Sequence, residues 1–155
     1  VLQTLGVRRA MVVCGEVLAK KNDGGKTTAE AAVGQSSGGA GIAHLDEIST
    51  LGPTTVAEFY QEMGFTVSRF SPEDFPLQPA TLADLVGGDK QTNAETARRI
   101  LGGEERGPKR DAVLLNAAAA LFVAGRTRSM AEGWELADDL IRSGAATAKL
   151  AQIVK

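Results

Sequence analysis

The stretch Leu45-Asp46-Glu47-Ile48-Ser49-Thr50-Leu51-Gly52-Pro53-Thr54 decides how this chain is read. Two adjacent carboxylates stand between an apolar residue and a Ser/Thr-Gly-Pro turn. Pro53 fixes its own φ, Gly52 admits backbone angles closed to other residues, and the hydroxyls of Ser49 and Thr50 can bond back to nearby backbone. The acids therefore fall where a strand gives way to a tight loop. In α/β proteins the loops at the carboxyl ends of strands form the ligand crevice. Two carboxylates there make a seat for a hard cation such as Mg²⁺, which keeps several waters and bridges to substrate phosphates. Taken alone, the pair reads first as a turn with two solvated acids, because surface acids are common.

Upstream, Val1 to Val7 reads as the end of a helix stopped by Gly6. Ala10-Met11-Val12-Val13-Cys14 is a short unbroken apolar run, the pattern of a strand buried on both faces of a parallel sheet. Cys14 reads as a small buried hydrophobe. A nucleophilic thiol would need an imidazole, and the single histidine is His44; that pairing is set aside, and His44 reads as a partly exposed loop residue. Residues 16–43 are rich in Gly, Ala, Ser and Lys and contain no aromatic. Such a segment buries too little apolar surface to offset its ordering entropy, so it reads as a flexible insertion, with one short helical turn over Thr27 to Val33.

Downstream, alternation over Thr54–Glu62 and again over Phe65–Phe70, around Glu62-Met63-Gly64, predicts a β-hairpin. Pro72 opens a turn, and Phe75 to Pro79 is irregular. Thr81 to Leu85 is a helical turn ended by Gly87-Gly88. Ala94 to Leu101 is a helix with Asn93 as its cap. Glu104 to Lys109 is a charged loop. Asp111 to Ala124 is a helix apolar nearly all round and therefore central. Its one polar interior residue, Asn116, needs a partner and can find it in a neighbouring loop. Ser129 with Glu132 three residues on forms a capping-box pattern for the next helix. Ala145 to Val154 is the last helix.

Composition narrows the classes. The chain has 155 residues, enough for a single domain with its own core, and 43% of them are hydrophobic. A formal net charge of −2 offers no global field for nucleic acid or an anionic membrane, although Arg106, Lys109 and Arg110 form a local basic cluster. One cysteine excludes an internal disulfide and a multi-cysteine zinc site, and makes a cytoplasmic location the default. No apolar run reaches the ~20 residues that span a bilayer. Aromatics are 5% of the chain, so the core is expected to be aliphatic.

Three runs resemble the anthranilate phosphoribosyltransferases. Leu45 to Thr54 is similar to the family's Leu-Asp-Glu-Ile-Ser…Gly-Pro-Thr segment. Gly88-Asp89 followed by Asn93-Ala94 is a second match. The third and most specific is Arg110-Asp111-Ala112-Val113-Leu114-Leu115-Asn116-Ala117-Ala118-Ala119-Ala120-Leu121, then Val123-Ala124-Gly125. They stand in the family's order and cover most of the chain outside 16–43. There are departures: the family commonly has His-Gly at Cys14-Gly15 and often Gly at His44. Its upstream Gly-Thr-Gly-Gly-Asp and Lys-His-Gly-Asn-Arg motifs do not occur in this sequence.

The resemblance implies that residues 1–155 are the C-terminal part of an α/β domain. The expected fold is part of a mostly parallel sheet with a β-hairpin, flanked by helices and helical at its C-terminal end. It further implies that Asp46 and Glu47 hold Mg²⁺ on phosphoribosyl pyrophosphate, whose phosphoribosyl group passes to anthranilate with release of pyrophosphate, in tryptophan biosynthesis. No general base stands out. The whole protein would be a homodimer through regions absent here, and this chain alone would be inactive. Two other readings are a pyrimidine nucleoside phosphorylase-like enzyme, with phosphate as nucleophile, and a non-catalytic nucleic-acid-binding paralogue, which would want a basic groove.

Overall fold

The computed structural model describes residues 1–2, 4–18, 42–60 and 64–154. Strands β1 (Arg9–Leu18), β2 (Ile42–Leu45), β3 (Thr54–Tyr60) and β4 (Gly64–Phe70) form one sheet in the order β2-β1-β3-β4. Helices α1 (Leu82–Leu85), α2 (Lys90–Leu101), α3 (Pro108–Val123), α4 (Met130–Arg142) and α5 (Ala145–Ile153) follow. The α/β class and the helical C-terminal end agree with the sequence reading. The direction of the sheet does not. Among the described residues every strand pair is antiparallel.

The correction centres on β1. Its apolar run is not buried on both faces: Val12 is 57% exposed, and Cys14 is exposed rather than buried. Val12 stands in register with Ala57, and Ala57 with Val67, so these residues share the sheet's outer face. The inner face carries buried Val56. An unbroken apolar run fits a doubly covered strand, but equally a strand with one uncovered face; the neighbouring strands decide.

The hairpin is present, β3 pairing with β4 from Thr54↔Phe70 to Tyr60↔Gly64, with Gly64 in the strand rather than the turn, while Glu62 and Met63 lie outside the described residues. Of the segment 16–43 read as an insertion, Glu16 to Leu18 belong to β1 and Ile42 and Ala43 to β2, and the rest lies outside the described residues. The helical turn at Thr27 to Val33 lies outside the described residues. The N-terminus makes turns, with Leu5 N–H donating to Val1 O and Val7 N–H to Leu2 O, and no helix. A helix needs a hydrogen-bonded nucleus that so short a segment does not maintain.

Helix starts are set by caps. Asp89, not Asn93, caps α2: its Oδ1 accepts from Thr92 N–H at 2.8 Å. Pro108 occupies the first turn of α3, where its missing N–H costs nothing, so Lys109 and Arg110 are helical rather than in a loop. Ser129 Oγ accepts from Glu132 N–H at 3.2 Å, as its spacing predicts. Glu132 itself reaches Arg128, whose N–H and guanidinium it accepts, so the reciprocal bond falls one residue earlier than in the capping-box pattern.

Ile100, Leu114, Ala137 and Ile141 form the helical core, with Leu121 and Trp134 packed against it. Leu114 and Leu115 are fully buried, each contributing about 1.5–3 kcal/mol of apolar transfer. Helices α3 and α4 meet at Gly133, where a Cβ would lie 2.7 Å from Ala118 O. Phe75 bridges hairpin and helices, its ring centroid 5.2 Å from that of Phe70 and 5.7 Å from that of Trp134. The Arg9 guanidinium stacks over Tyr60 and Phe122, joining β1 to α3.

Candidate functional site

Strand β2 ends at Leu45, and the chain bends at Asp46 and Glu47, both exposed. The strand-to-loop position read from the sequence is where the structure has it. Beyond the bend the loop turns inward: Ile48 is 3% exposed and Ser49 fully buried. Three contacts hold it. The first is within the loop and its exit strand: Ser49 N–H donates to Thr54 Oγ1 at 3.0 Å, and Ser49 Oγ accepts from Leu51 N–H at 3.0 Å. This is the hydroxyl-to-backbone bonding that the Ser/Thr-Gly-Pro composition predicts; Thr50 Oγ1, also expected to bond, is buried without a partner among the described residues.

The second contact is with β1. Gly15 packs so closely that a Cβ there would lie 2.5 Å from Glu47 O and 2.7 Å from Ser49 Cβ. Only a residue without a side chain fits. Next to it, Glu16 N–H donates to Pro53 O at 2.9 Å. The third contact comes from α3. Asn116 Oδ1 accepts from Ile48 N–H at 2.9 Å, and Asn116 Nδ2 donates to Ile48 O at 3.1 Å and to Ala112 O at 3.0 Å. The one polar residue beyond the first turn of α3 thus has partners for both amide groups, two of its bonds going to the acidic loop.

Glu47 also stands at the edge of a cleft of about 420 Å³. Its walls are largely apolar, from Leu85, Ile100, Leu101 and Val113, with Asn93 and Lys109 as polar neighbours. Asn93 turns back on Gly88, accepting its N–H at 2.8 Å and donating to its carbonyl at 3.0 Å. Lys109 Nζ donates to Val86 O. The turn between α1 and α2 is pinned further by two acidic caps. Asp84 lies below the usual carboxylate range because the Thr81 hydroxyl and amide both donate to it, and Asp89 because the Thr92 amide does.

The donor set fits a hard divalent cation. Asp46 and Glu47 offer carboxylate oxygens, and among the described residues neither enters an ion pair. No group of three or more His, Cys, Asp or Glu side chains gathers there or elsewhere among the described residues. A cation seated on two carboxylates would complete its shell with water and substrate oxygens, which is the habit of Mg²⁺.

Other candidate residues fall differently. Cys14 and His44 do come together, Sγ 3.8 Å from Nδ1, a proximity that the sequence reading sets aside. His44 belongs to β2, opposite Glu16, rather than to a loop. Arg110 is engaged with Asp138, and the buried Asp111 accepts from Gln78 N–H at 2.8 Å, tying the irregular 75–80 segment to α3. The basic cluster of Arg106, Lys109 and Arg110 is therefore largely spent on structural contacts. Gly15 and the cleft escape the sequence reading. A close approach by backbone far away in sequence leaves no local signal, whereas a single amide in an apolar helix does. No helix among the described residues is long and apolar enough to cross a membrane.

The model of the glycosyl transferase family, a/b domain, matches residues 3–147. The anthranilate phosphoribosyltransferase of Rubrobacter xylanophilus is 46% identical over 111 residues, 72% of this chain and 32% of that protein. The anthranilate phosphoribosyltransferase of Acetivibrio thermocellus is 38% identical over 155 residues, all of this chain and 37% of that protein. Among solved structures, anthranilate phosphoribosyltransferase from Thermus thermophilus superposes with a TM-score of 0.66 at 32% identity, over 97% of this chain and 36% of that one. The Saccharomyces cerevisiae enzyme in complex with PRPP and Mg gives 0.63 at 26% identity, over 69% of this chain and 30% of that one. The chain spans about a third of the length of the curated relatives it matches.

Proposed function

Since the chain belongs to the a/b-domain glycosyl transferase family, we propose that it is part of an anthranilate phosphoribosyltransferase and contributes the enzyme's acidic metal seat. The reaction is transfer of the phosphoribosyl group from phosphoribosyl pyrophosphate to the anthranilate amine, with release of pyrophosphate, in tryptophan biosynthesis. The proposal extends to a cytoplasmic, homodimeric whole protein.

One observation carries the reading. The loop at 46–49 is locked between β1 and α3, yet it presents two exposed carboxylates engaged in no ion pair among the described residues. Acids on a solvated turn need no such scaffold. Asp46 and Glu47 would hold Mg²⁺, which when bound supplies positive charge against the oxygens of the departing pyrophosphate. The chain's own residues hold those carboxylates in place: Asn116 from α3, Gly15 and Glu16 from β1, and Thr54 from β3.

The test is the loss of anthranilate fluorescence on adding phosphoribosyl pyrophosphate and Mg²⁺ to the protein made from its full reading frame. Consumption is expected in the parent. The Asp46→Asn, Glu47→Gln double variant should lose at least about 100-fold in kcat/KM, the scale of removing an electrostatic stabiliser. The 155-residue chain alone should be inactive. A folded parent that consumes no anthranilate with Mg²⁺ present would overturn the reaction. An active enzyme indifferent to the double substitution would overturn the metal seat alone.

A further inference from the structure

We propose that Asn116 is a positioning residue for the metal seat, acting through the backbone of Ile48 to set where Asp46 and Glu47 stand. The inference rests on the reading of that pair as a Mg²⁺ seat.

The geometry is specific to a carboxamide. Asn116 Oδ1 takes the N–H of Ile48 at 2.9 Å, and Nδ2 gives to the carbonyl of the same residue at 3.1 Å. Bonding both backbone groups of one residue fixes its rotation as well as its position. The third bond, Nδ2 to Ala112 O at 3.0 Å, orients the amide so that oxygen faces the Ile48 N–H and nitrogen faces the two carbonyls. An aspartate has no donor for either carbonyl, and an alanine has no polar atom at all. Ile48 is bonded directly to Glu47 and is one residue further from Asp46, so its placement passes to both.

The loop is also packed by β1, where Gly15 leaves no room for a Cβ against Glu47 O and Ser49. Helix α3 and strand β1 therefore both hold the backbone from Glu47 to Ser49. A loop held this way before a cation arrives need not be ordered by the cation, so binding is not weakened by that entropy. Asn116 touches neither metal nor substrate in this scheme. Its role is that of the outer partners that orient metal ligands elsewhere, whose loss lowers metal affinity about 10–100-fold.

The test uses the protein from its full reading frame and Mn²⁺ as the probe, titrated with inorganic pyrophosphate present and followed by electron paramagnetic resonance. Asn116→Ala and Asn116→Asp should each raise the Mn²⁺ dissociation constant by about 10–100-fold. The Mg²⁺ concentration for half-maximal activity should rise by the same factor, with kcat at saturating Mg²⁺ falling less. Gly15→Ala, which alters no polar group, should shift both in the same direction and carries the test if the Asn116 variants do not fold. Ser129→Ala removes a distant helix cap and should leave Mn²⁺ binding unchanged; a matching loss in that variant would reduce the Asn116 effect to general destabilisation and overturn the proposal. Unchanged Mn²⁺ affinity in a folded Asn116 variant would overturn it as well. If instead the Asp46→Asn, Glu47→Gln variant binds Mn²⁺ as the parent does, the seat itself fails. If that double variant loses binding while Asn116 variants keep it, only the role of Asn116 fails.

Discussion

Two turns border the same cleft, and they are held in opposite ways. The turn from Thr81 to Asp89 is fixed almost entirely by its own neighbours: Asp84 caps from Thr81, Asp89 from Thr92, and Asn93 clamps Gly88. One longer tether, from Lys109 to Val86, is added. The acidic loop from Asp46 to Pro53 depends on distant chain: Asn116 lies 68 residues from Ile48, and β1, paired with both β2 and β3, presses Gly15 against it. Local bonds form with the helices they cap. Remote bonds exist only when helix and sheet are already docked. The carboxylate pair is thus attached to a loop whose support is remote in sequence, and the apolar wall beside it to a turn whose support is local.

An asparagine serves each turn. Asn116→Ala should cost about 3 kcal/mol, because it leaves the N–H and C=O of the buried Ile48 unpaired. Asn93→Ala, at an exposed site, should cost under about 1 kcal/mol, since water replaces the lost bonds. Urea unfolding of the two variants in the full reading frame measures both; equal losses would end the distinction between remote and local support.

Next in size is Gly15→Ala. The added methyl meets Glu47 O at 2.5 Å, backbone that cannot swing away as a side chain end would. A loss of about 2 kcal/mol is expected, the scale of overpacking, and hydrogen exchange should quicken at Ile48 and Ser49 more than at Gly88. Uniform quickening would mean that the loop is not the weak point.

The smallest effect separates the turns by pH. Asp89 has its carboxyl below the usual range because the Thr92 amide donates to it. A depressed folded value means the cap contributes fully above the unfolded carboxyl's pKa of about 4 and is lost as pH falls through the lower folded value. Exchange at the start of α2 should therefore rise only below about pH 4, and Asp89→Asn, which keeps a capping oxygen without the titration, should flatten that rise. Persistence of the rise in Asp89→Asn would assign it to another group.

Much of this is legible in the residues. The β3–β4 hairpin, the central α3, the Ser129 cap and the place of Asp46 and Glu47 at a strand end all follow from period, turn chemistry and capping. Even the reach of Asn116 to a loop follows from one polar side chain in an apolar helix. The misreadings share a cause. The apolar run of β1 states that a strand is wanted but not which strands flank it, so the run points to a parallel sheet where the structure has an antiparallel one. Cys14 reads as buried because its neighbours are apolar, yet its side lies on an uncovered face. Asn93 has the chemistry of a cap, but Asp89 reaches an N–H first, and Asn93 serves Gly88 instead.

What the sequence determined by itself is whatever a few consecutive residues enforce: elements, caps, the acidic loop, and a family likeness built on short runs. What tertiary structure alone decided is which surfaces meet. The need for glycine at position 15, the grip of Asn116 on Ile48 and the cleft below Glu47 all depend on backbone brought together from far along the chain. Local propensity acts through bonds within a turn or two, whereas close packing and the pairing of remote polar groups are settled only when the whole core is in place.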